Sequence, residues 1–506
     1  MIYETITKLI FYAKYHLDLH EDDEIYIRNS ILHELQLDSF PSKKIEINET
    51  EIIELNVPDK LIDELHSYFI NELKLSDKES ELIETKIMGI LTPMPSEVNR
   101  KFYSLVKKDD FKALSYLYDL SIKNNYVAKT RIDKNLFWKA DFGDKYLEIT
   151  VNLSKPEKNT KDIAKLLVKS KTNVEKYPKC LLCGENVGYF GRLEHPARSN
   201  IRVINLNLDG EKWFLQYSPY GYFNMHCIVV DSIHENMIID EGTFRKFFDF
   251  IDLFPSFFIG SNADLPIVGG SILNHEHFQG GEHLLPVMNA KIKESFSSNK
   301  FKNCRISLLD WFNSTILLQG KDRSELIKCA ANILKNRRDY SDIDNDIIAK
   351  VGDVEHNTIT PGLKKEKDGT YNLYLILRNN RCNAEFEDGI FHAHKEFYHI
   401  KKENIGLIEA MGQFILPARL ITQNDEIKES LKSGLNNIDI IAKYPNLNGF
   451  EPMIDVLRNE YNPDTIDADI KNYINDVCKN ILENTAVFKN DDKGQMGFVK
   501  FIRSIL

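Results

Sequence analysis

The chain lacks an apolar run of membrane-spanning length, an excess of basic residues and a large number of cysteines. Its 65 Lys and Arg against 76 Asp and Glu give a net charge of −11, which argues against a dedicated binder of nucleic acid or anionic membranes. The seven cysteines are few for 506 residues and odd in number, so we expect a reducing compartment rather than a disulfide framework. The first residues show no secretory apolar core, and we therefore expect a cytoplasmic protein.

Two common phosphate-binding signatures are also missing. No Gly-rich loop ends in Gly-Lys-Ser or Gly-Lys-Thr, and no dinucleotide-binding glycine fingerprint is present, so ordinary kinase and dehydrogenase chemistry lose support. We expect no nicotinamide, flavin or other organic cofactor. With 42% hydrophobic and 28% charged residues, the composition is that of a globular protein, and the length predicts more than one domain.

The most informative motif present is a histidine pair followed by an amide and two glycines. In an extended stretch, alternation places His275, His277 and Gln279 on one face. A neutral imidazole is a good nucleophile toward phosphorus, and a nearby amide can donate to a phosphoryl oxygen as charge builds. Gly280 and Gly281 would let phosphates approach the backbone. The pattern predicts group transfer through a histidine, with core packing or metal binding as the alternatives.

Cys180 and Cys183 form a Cys-x-x-Cys turn further upstream. This spacing suits a zinc knuckle, whose thiolates bind a structural Zn²⁺. A redox pair would need a thioredoxin-like strand-to-helix setting, which the surrounding sequence does not show. The third alternative is that both thiols are simply buried.

Hydrophobic periodicity predicts that both ends of the chain are helical and that its central part contains helices and strands. Helix-period spacing marks residues 61–70, 111–126, 243–254 and 470–482, and a Lys-rich stretch at 155–176 is predicted to be a solvated helix. Strand patterns occupy residues 145–151, 212–217, 227–230 and 371–377. We expect an α+β protein with five regions: a helical N-terminal region (1–92), a lead-in (93–177), two central halves (178–300 and 301–420) and a helical C-terminal region (421–506).

The spacing of the first histidine pair recurs at His392 and His394. A duplicated unit, of which only the first copy keeps the nucleophile and the amide, would explain this echo; chance recurrence of the spacing is the alternative. Glu396 replaces the amide in the second copy. Because a carboxylate would repel an anionic transition state, we expect the second pair not to be nucleophilic.

The order of several longer motifs resembles a known family. The motifs are Pro178–Gly188, Tyr217–Tyr220, Cys227–His234, Gly269–Gly281, His356–Pro361, Leu377–Arg381, Phe391–His394, Lys401–Glu409 and Leu416–Leu420. They resemble the galactose-1-phosphate uridylyltransferases of the second, bacterial class, a branch of the histidine-triad superfamily, from about residue 93 to about residue 420. The first class of that family has Pro and Gly where this chain has Glu276 and Phe278.

The resemblance implies a duplicated histidine-triad-like mixed sheet with added helical ends, and a covalent, two-step reaction. His277 matches the histidine that takes the uridylyl group from a UDP-hexose, and Gln279 matches the amide that donates to the phosphoryl oxygen. Galactose 1-phosphate then accepts the group, so that UDP-glucose is converted to UDP-galactose. The implied partners are UDP-sugars and hexose 1-phosphates, with neither nucleic acid nor membrane; homodimer formation stays open.

Further roles follow from the same resemblance. Contacts with the nucleotide are implied for Asn262, Ser271 and Val187, and an interaction with sugar hydroxyls for Glu409. Arg378 and Arg381 are candidate phosphate clamps. The non-functional alternatives are that the two arginines are solvated at the surface and that the glutamate forms a salt bridge on a helix face. The implied structural zinc ligands are Cys180, Cys183, His234 and His275, and a second metal site would use His356, His392 and His394.

Two other functions stay open. A dinucleoside-polyphosphate phosphorylase or nucleotide hydrolase of the same superfamily would use the same histidine with phosphate or water as acceptor. A zinc-stabilised binding protein without catalysis would need none of the transfer residues.

Overall fold

The computed structural model describes residues 2–153, 177–192, 194–459 and 461–506. The helix expected at 155–176 lies outside these residues. The chain divides into two compact units: unit 1 comprises residues 1–134 and 158–235, and unit 2 comprises 135–157 and 236–506, in each case as far as the structure describes them.

Helices occupy both ends of the chain and flank the strands of its centre. They are α1 (Ile2–His16), α2 (Glu24–Glu34), α3 (Glu49–Ile53), α4 (Asp59–Asn71), α5 (Asp77–Leu91), α6 (Pro95–Val106), α7 (Asp110–Lys123), α8 (Lys129–Ile132), α9 (Glu241–Leu253), α10 (Arg323–Asp339), α11 (Leu407–Ala410), α12 (Arg419–Lys432), α13 (Asn437–Lys443), α14 (Glu451–Asn459), α15 (Ile466–Asn484) and α16 (Asp492–Ile505). Local sequence sets many of their starts: at α5, Ser76 and Glu79 form a reciprocal capping box.

The strands are β1 (Leu136–Phe142), β2 (Lys145–Asn152), β3 (Ile204–Leu208), β4 (Glu211–Tyr217), β5 (Cys227–Asp231), β6 (Phe258–Gly260), β7 (His277–Gly281), β8 (Ile292–Phe296), β9 (Arg305–Leu309), β10 (Thr315–Gly320), β11 (Lys350–Val351), β12 (Val354–Glu355), β13 (Asn357–Lys365), β14 (Tyr371–Asn379) and β15 (Gln413–Pro417). Every strand predicted from the sequence is present with boundaries shifted by at most a few residues. So are the helices predicted at 61–70, 111–126, 243–254 and 470–482.

Unit 1 holds α1–α8 and an antiparallel arrangement of β3, β4 and β5. Its helices bury aliphatic and aromatic side chains, including Leu65, Phe69, Phe102 and Leu117, none of which is exposed to solvent. The helical character predicted for the first ninety residues is therefore correct, because the helix-period apolar stripe is the packed face.

Unit 2 is built around a mainly antiparallel sheet. Its strands follow the order β7-β6-β13-β14-β10-β9-β8, each antiparallel to the next. All nine residues of β14 are buried, so this strand is covered on both faces, and residues 373–377 at its centre form a continuous apolar run. A smaller sheet pairs β2 with β1 antiparallel and with β15 parallel.

The predicted α+β class is confirmed, with helices segregated from mainly antiparallel strands. Among the described helices, none combines the length and apolarity needed to span a bilayer. One local expectation needs correction: the extended stretch expected to hold both first-pair histidines begins as a strand only at His277, and His275 lies in the irregular segment before it.

Candidate active site

Strand β7 carries His277 at its first position and is held by the short strand β6. Gly260 pairs with Gln279, and Ile259 pairs with Gly280. If this register is continued two residues beyond Gly260, Asn262 lies opposite His277. Gly260 must be a glycine here, because an added Cβ would lie 2.8 Å from the Pro361 carbonyl oxygen.

The His277 side chain is oriented by its own neighbouring backbone. Its Nδ1 lies 2.8 Å from the carbonyl oxygen of His275. Since a carbonyl oxygen only accepts, Nδ1 carries the proton and Nε2 keeps its lone pair. The residue is 6% exposed, and this burial lowers the pKa of His277 to about 4, although the carbonyl contact acts in the opposite direction. The ring is therefore neutral, with a nucleophilic nitrogen, at physiological pH.

Residues 404–409, which we call the 404–409 segment, join several predicted site residues of unit 2. The Leu407 N–H donates to Asn262 Oδ1 at 2.8 Å, and the Gly406 N–H donates to Glu409 Oε2 at 3.2 Å. Arg378 donates through Nη2 to the Ile405 carbonyl at 2.9 Å. Asn262, Arg378 and Glu409, which are far apart in sequence, are thus brought together by one short stretch of backbone.

The Asn262 amide also lies against the glycine loop. An added Cβ at Gly270 would collide with the Asn262 side chain, so only a glycine lets the loop approach this closely. Asn404 reinforces the contact by donating to the Gly269 carbonyl at 3.3 Å. Ser271, which follows these glycines, is exposed.

Arg378 is the strongest anion-binding candidate of unit 2. It is 1% exposed, and burial lowers its pKa to about 10, with the Glu409 carboxylate acting in the opposite direction. It remains charged at neutral pH. Within the described part of the chain, neither its Nε nor its Nη1 has a hydrogen-bond partner. Buried donors of this kind are normally satisfied, so the arrangement favours an anionic ligand. The alternative of a solvated surface arginine does not apply.

Arg381, the second candidate clamp, is engaged differently. Its Nη2 donates to the Asp346 carbonyl at 2.6 Å and lies 3.3 Å from the Asp346 carboxylate. The guanidinium thus stabilises a surface turn. Arg381 is therefore a weaker candidate for binding phosphate than Arg378.

Lys401 lies in one of the family-like motifs, but no sequence signal assigns it a role. Its ammonium, 2% exposed, lies 3.0 Å from the Glu409 carboxylate and 3.2 Å from the Ile415 carbonyl. Burial lowers the pKa of Lys401, but the carboxylates of Glu409 and Glu403 outweigh burial and raise it overall. The salt bridge considered as an alternative for Glu409 is therefore present. It is buried and leaves the carboxylate oriented by two donors.

The cysteine turn in unit 1 has the geometry of a metal knuckle. The two sulfurs of Cys180 and Cys183 are 3.5 Å apart, and Cys183 Sγ lies 3.1 Å from His234 Nδ1. Two thiolates on a tetrahedral Zn²⁺ would be separated by about 3.8 Å. Neither cysteine takes part in a disulfide.

Backbone and side-chain donors support this turn. The Cys180 N–H points at Cys183 Sγ and the Leu182 N–H at Cys180 Sγ, each at 3.3 Å. The Asn186 amide donates to the Cys180 and Cys183 carbonyls. Burial raises the pKa of Cys183 to about 11, so a cation is what would hold this sulfur as a thiolate. The donor set fits Zn²⁺. Val187, at the end of this turn, is half-buried.

The structure does not bring the second set of histidines together. His356 Nδ1 contacts Asn380 Oδ1 at 2.8 Å, His392 Nδ1 contacts the Ala393 carbonyl at 3.2 Å, and His394 Nε2 contacts the Ile390 carbonyl at 3.1 Å. Among the described residues, no group able to hold a metal includes any of the three. The second metal site is therefore not supported.

These features describe an α+β protein with a buried, neutral histidine on a sheet strand and a buried arginine in the same unit. Comparisons with known proteins then identify the family. Residues 18–236 match the model of the galactose-1-phosphate uridyl transferase N-terminal domain, and residues 250–445 match that of the C-terminal domain. The chain belongs to this family of nucleotidyltransferases.

Relatives match over nearly the whole chain. The galactose-1-phosphate uridylyltransferase of Clostridium acetobutylicum is 41% identical over 99% of both chains. That of Caldanaerobacter subterraneus is 43% identical over 96% of this chain and 94% of its own. A match to the solved structure of yeast Ap4A phosphorylase covers 59% of this chain and 87% of the yeast chain. The two are 12% identical in sequence, and the TM-score is 0.29.

Proposed function

We propose that the protein transfers a uridylyl group from UDP-glucose to galactose 1-phosphate through His277. The observation that carries the proposal is the orientation of this ring, whose Nδ1 is held by the His275 carbonyl so that Nε2 is free to attack. Family membership and the full-length relatives support the choice of substrates.

In the first step, His277 Nε2 attacks the α-phosphorus of UDP-glucose. A P–N bond forms, the bond from the α-phosphorus to the bridging oxygen breaks, and glucose 1-phosphate leaves with the electron pair. In the second step, a phosphate oxygen of galactose 1-phosphate attacks the same phosphorus. The P–N bond then breaks and releases UDP-galactose and the neutral histidine.

The remaining candidate residues receive roles that suit their surroundings. The unpartnered N–H groups of Arg378 bind phosphate oxygens, and Glu409, held by Lys401 and the Gly406 N–H, accepts from sugar hydroxyls. Asn262 and Ser271 of the glycine loop contact the nucleotide, as does Val187, and Arg381 is a second and weaker candidate for binding phosphate.

We also propose that Cys180, Cys183, His234 and His275 bind one structural Zn²⁺. Zinc with two thiolates and two imidazoles ties segments together and takes no part in the transfer. The distances among the two cysteine sulfurs and the His234 ring support the proposal. His275 is a buried histidine two residues before His277, so its ligation would also hold the carbonyl that orients the nucleophile.

The direct test of function is to incubate the purified protein with UDP-glucose and galactose 1-phosphate. UDP-galactose should form with ping-pong kinetics. Uridine nucleotide released only with orthophosphate or water as acceptor would instead indicate a phosphorylase or hydrolase, and no turnover of UDP-glucose would indicate a binding protein.

Gln279 is expected to stabilise charge on the phosphoryl oxygens. The Gln279→Ala variant should lose about 10²- to 10³-fold in kcat, the usual effect of removing one preorganised donor, with a smaller change in KM. Steady-state kinetics measure this effect, and Gln319→Ala, a strand glutamine that bonds Asn372, serves as the matched control. A loss in Gln279→Ala no larger than that of the control would remove the assignment.

Arg378→Lys should weaken substrate binding while retaining a positive charge. A single ammonium cannot replace two free guanidinium N–H groups, and one charge-assisted hydrogen bond is worth about 1.5–3 kcal/mol. We expect KM for hexose 1-phosphate to rise about ten- to hundredfold, with thermal unfolding monitored in parallel. Arg503→Lys, at an exposed position of α16, is the control; equal KM values for the two variants would contradict the role of Arg378.

A further inference from the structure

The face of the nucleophile strand that points away from His277 is anchored on helix α9. Along β7, alternation places Phe278 on the face opposite His277 and Gln279, and Glu276 immediately precedes the strand. Two consecutive residues of α9 meet them. Lys246 Nζ lies 3.6 Å from Glu276 Oε2, and the Phe247 and Phe278 rings meet edge to face with centroids 4.9 Å apart.

Both contacts are buried. The side chains of Lys246 and Glu276 are 8% and 6% exposed, and Phe247 and Phe278 are fully buried. An aromatic contact explains why the strand adheres to the helix, since it removes apolar area from water and has a preferred geometry. A buried ion pair does not have the same explanation, because desolvation of the two charges offsets most of their attraction. Its position next to His277 points to a role in selecting one arrangement of the chain.

The part of the chain that this ion pair would hold in place is a single peptide group. The carbonyl of His275 belongs to the peptide that joins His275 to Glu276, and this same carbonyl holds His277 Nδ1 at 2.8 Å. Fixing the Glu276 side chain fixes the rotation of that peptide. Release of the carboxylate would let the carbonyl turn, and the imidazole would lose both its tautomer preference and its direction. A displacement of about 1 Å at a reacting atom can reduce a rate about a hundredfold.

We infer that Lys246 is a positioning residue for catalysis: through its ion pair with Glu276, it orients the His275–Glu276 peptide and thereby holds His277 with Nε2 aimed at the substrate. Lys246 itself does not touch the reacting atoms. The inference rests on the proposed function, because it assigns His277 the role of nucleophile.

The first test uses the full-length protein and measures the uridylylation half-reaction with UDP-glucose alone. Lys246→Met keeps the aliphatic stem but removes the charge, and we expect its single-turnover rate to fall about 10- to 100-fold with little change in the concentration of UDP-glucose that half-saturates the reaction. Lys246→Arg, which retains the charge, should recover most of the rate. The matched control is Lys328→Met, an exposed lysine of α10. A Lys246→Met rate equal to that of the control overturns the inference.

A double variant separates positioning from stability. Lys246→Met removes the cation that faces the buried Glu276 carboxylate and therefore destabilises the protein, whereas Lys246→Met with Glu276→Gln removes both charges and should restore the melting temperature toward the parent value. If the pair only stabilises the fold, the rate should return with the stability. We expect the double variant to remain slow. A stable double variant with the parent rate would overturn the inference.

Nitrogen-15 NMR of labelled histidine gives a readout that does not require turnover. The parent protein should show His277 protonated at Nδ1, and Lys246→Met should show a mixture of tautomers. An unchanged tautomer in Lys246→Met would contradict the positioning role. This measurement also separates the two proposals: a parent protein without uridylyl transfer refutes the proposed function, while the tautomer comparison still reports on the ion pair.

Discussion

His277→Ala is expected to lose uridylyl transfer almost completely while keeping its fold. Removing one imidazole from a preformed site deletes the only group of the proposed mechanism that can carry the intermediate, and removal of a nucleophile typically costs on the order of 10⁴-fold or more in kcat. Steady-state formation of UDP-galactose measures the loss, and circular dichroism with thermal unfolding checks the fold.

The matched control is His33→Ala, which removes an exposed histidine from helix α2 of unit 1. It should retain the parent activity. A His277→Ala protein with more than a few per cent of the parent rate would show that the transfer does not pass through this residue.

Cys183→Ser is expected to have the largest effect on stability. The serine hydroxyl is a poor zinc ligand, so the variant should lose the bound metal, and the free energy of unfolding should fall by about 3 kcal/mol or more because metal binding contributes directly to folding. Elemental analysis of the purified protein gives the metal content, and thermal unfolding with and without a chelator gives the stability.

The control for this change is Cys382→Ser, which alters an exposed cysteine and should affect neither metal content nor melting temperature. A parent protein without one transition metal per chain, or one whose melting temperature is insensitive to the chelator, would rule out the structural zinc. Loss of activity in Cys183→Ser at temperatures where the protein is still folded would instead indicate that the metal acts beyond the fold.

Much of the fold was predictable because the determinants are local. Helix α5 begins at a Ser-x-x-Glu capping box, and the centre of β14, residues 373–377, is a run of aliphatic and aromatic residues that suits a strand covered on both faces. The proposed role of His277 also starts from local sequence, since the histidine spacing and the following glycines stand within a few residues of one another.

The remainder depends on contacts between distant residues. Nothing in the local sequence around Lys401 reveals that its ammonium meets Glu409 in the protein interior, or that the 404–409 segment binds Asn262 and Arg378. For the second histidine pair, the local sequence pattern was misleading. Its spacing matches that of the first pair, but strand β14 ends at Asn379 and residues 392–394 lie in an irregular segment, where an alternating pattern does not place side chains on a common face.

If His277 carries the uridylyl group, the covalent intermediate can be trapped on this residue. The parent protein is exposed briefly to UDP-glucose labelled in the uridylyl moiety, without acceptor, and is then digested under basic conditions that preserve a phosphoramidate. The label should be found on a peptide containing residues 274–280, at His277, and should be removed by acid. Label on any other residue, including His394, would show that His277 does not carry the uridylyl group. So would the absence of covalent label in a protein that turns over both substrates.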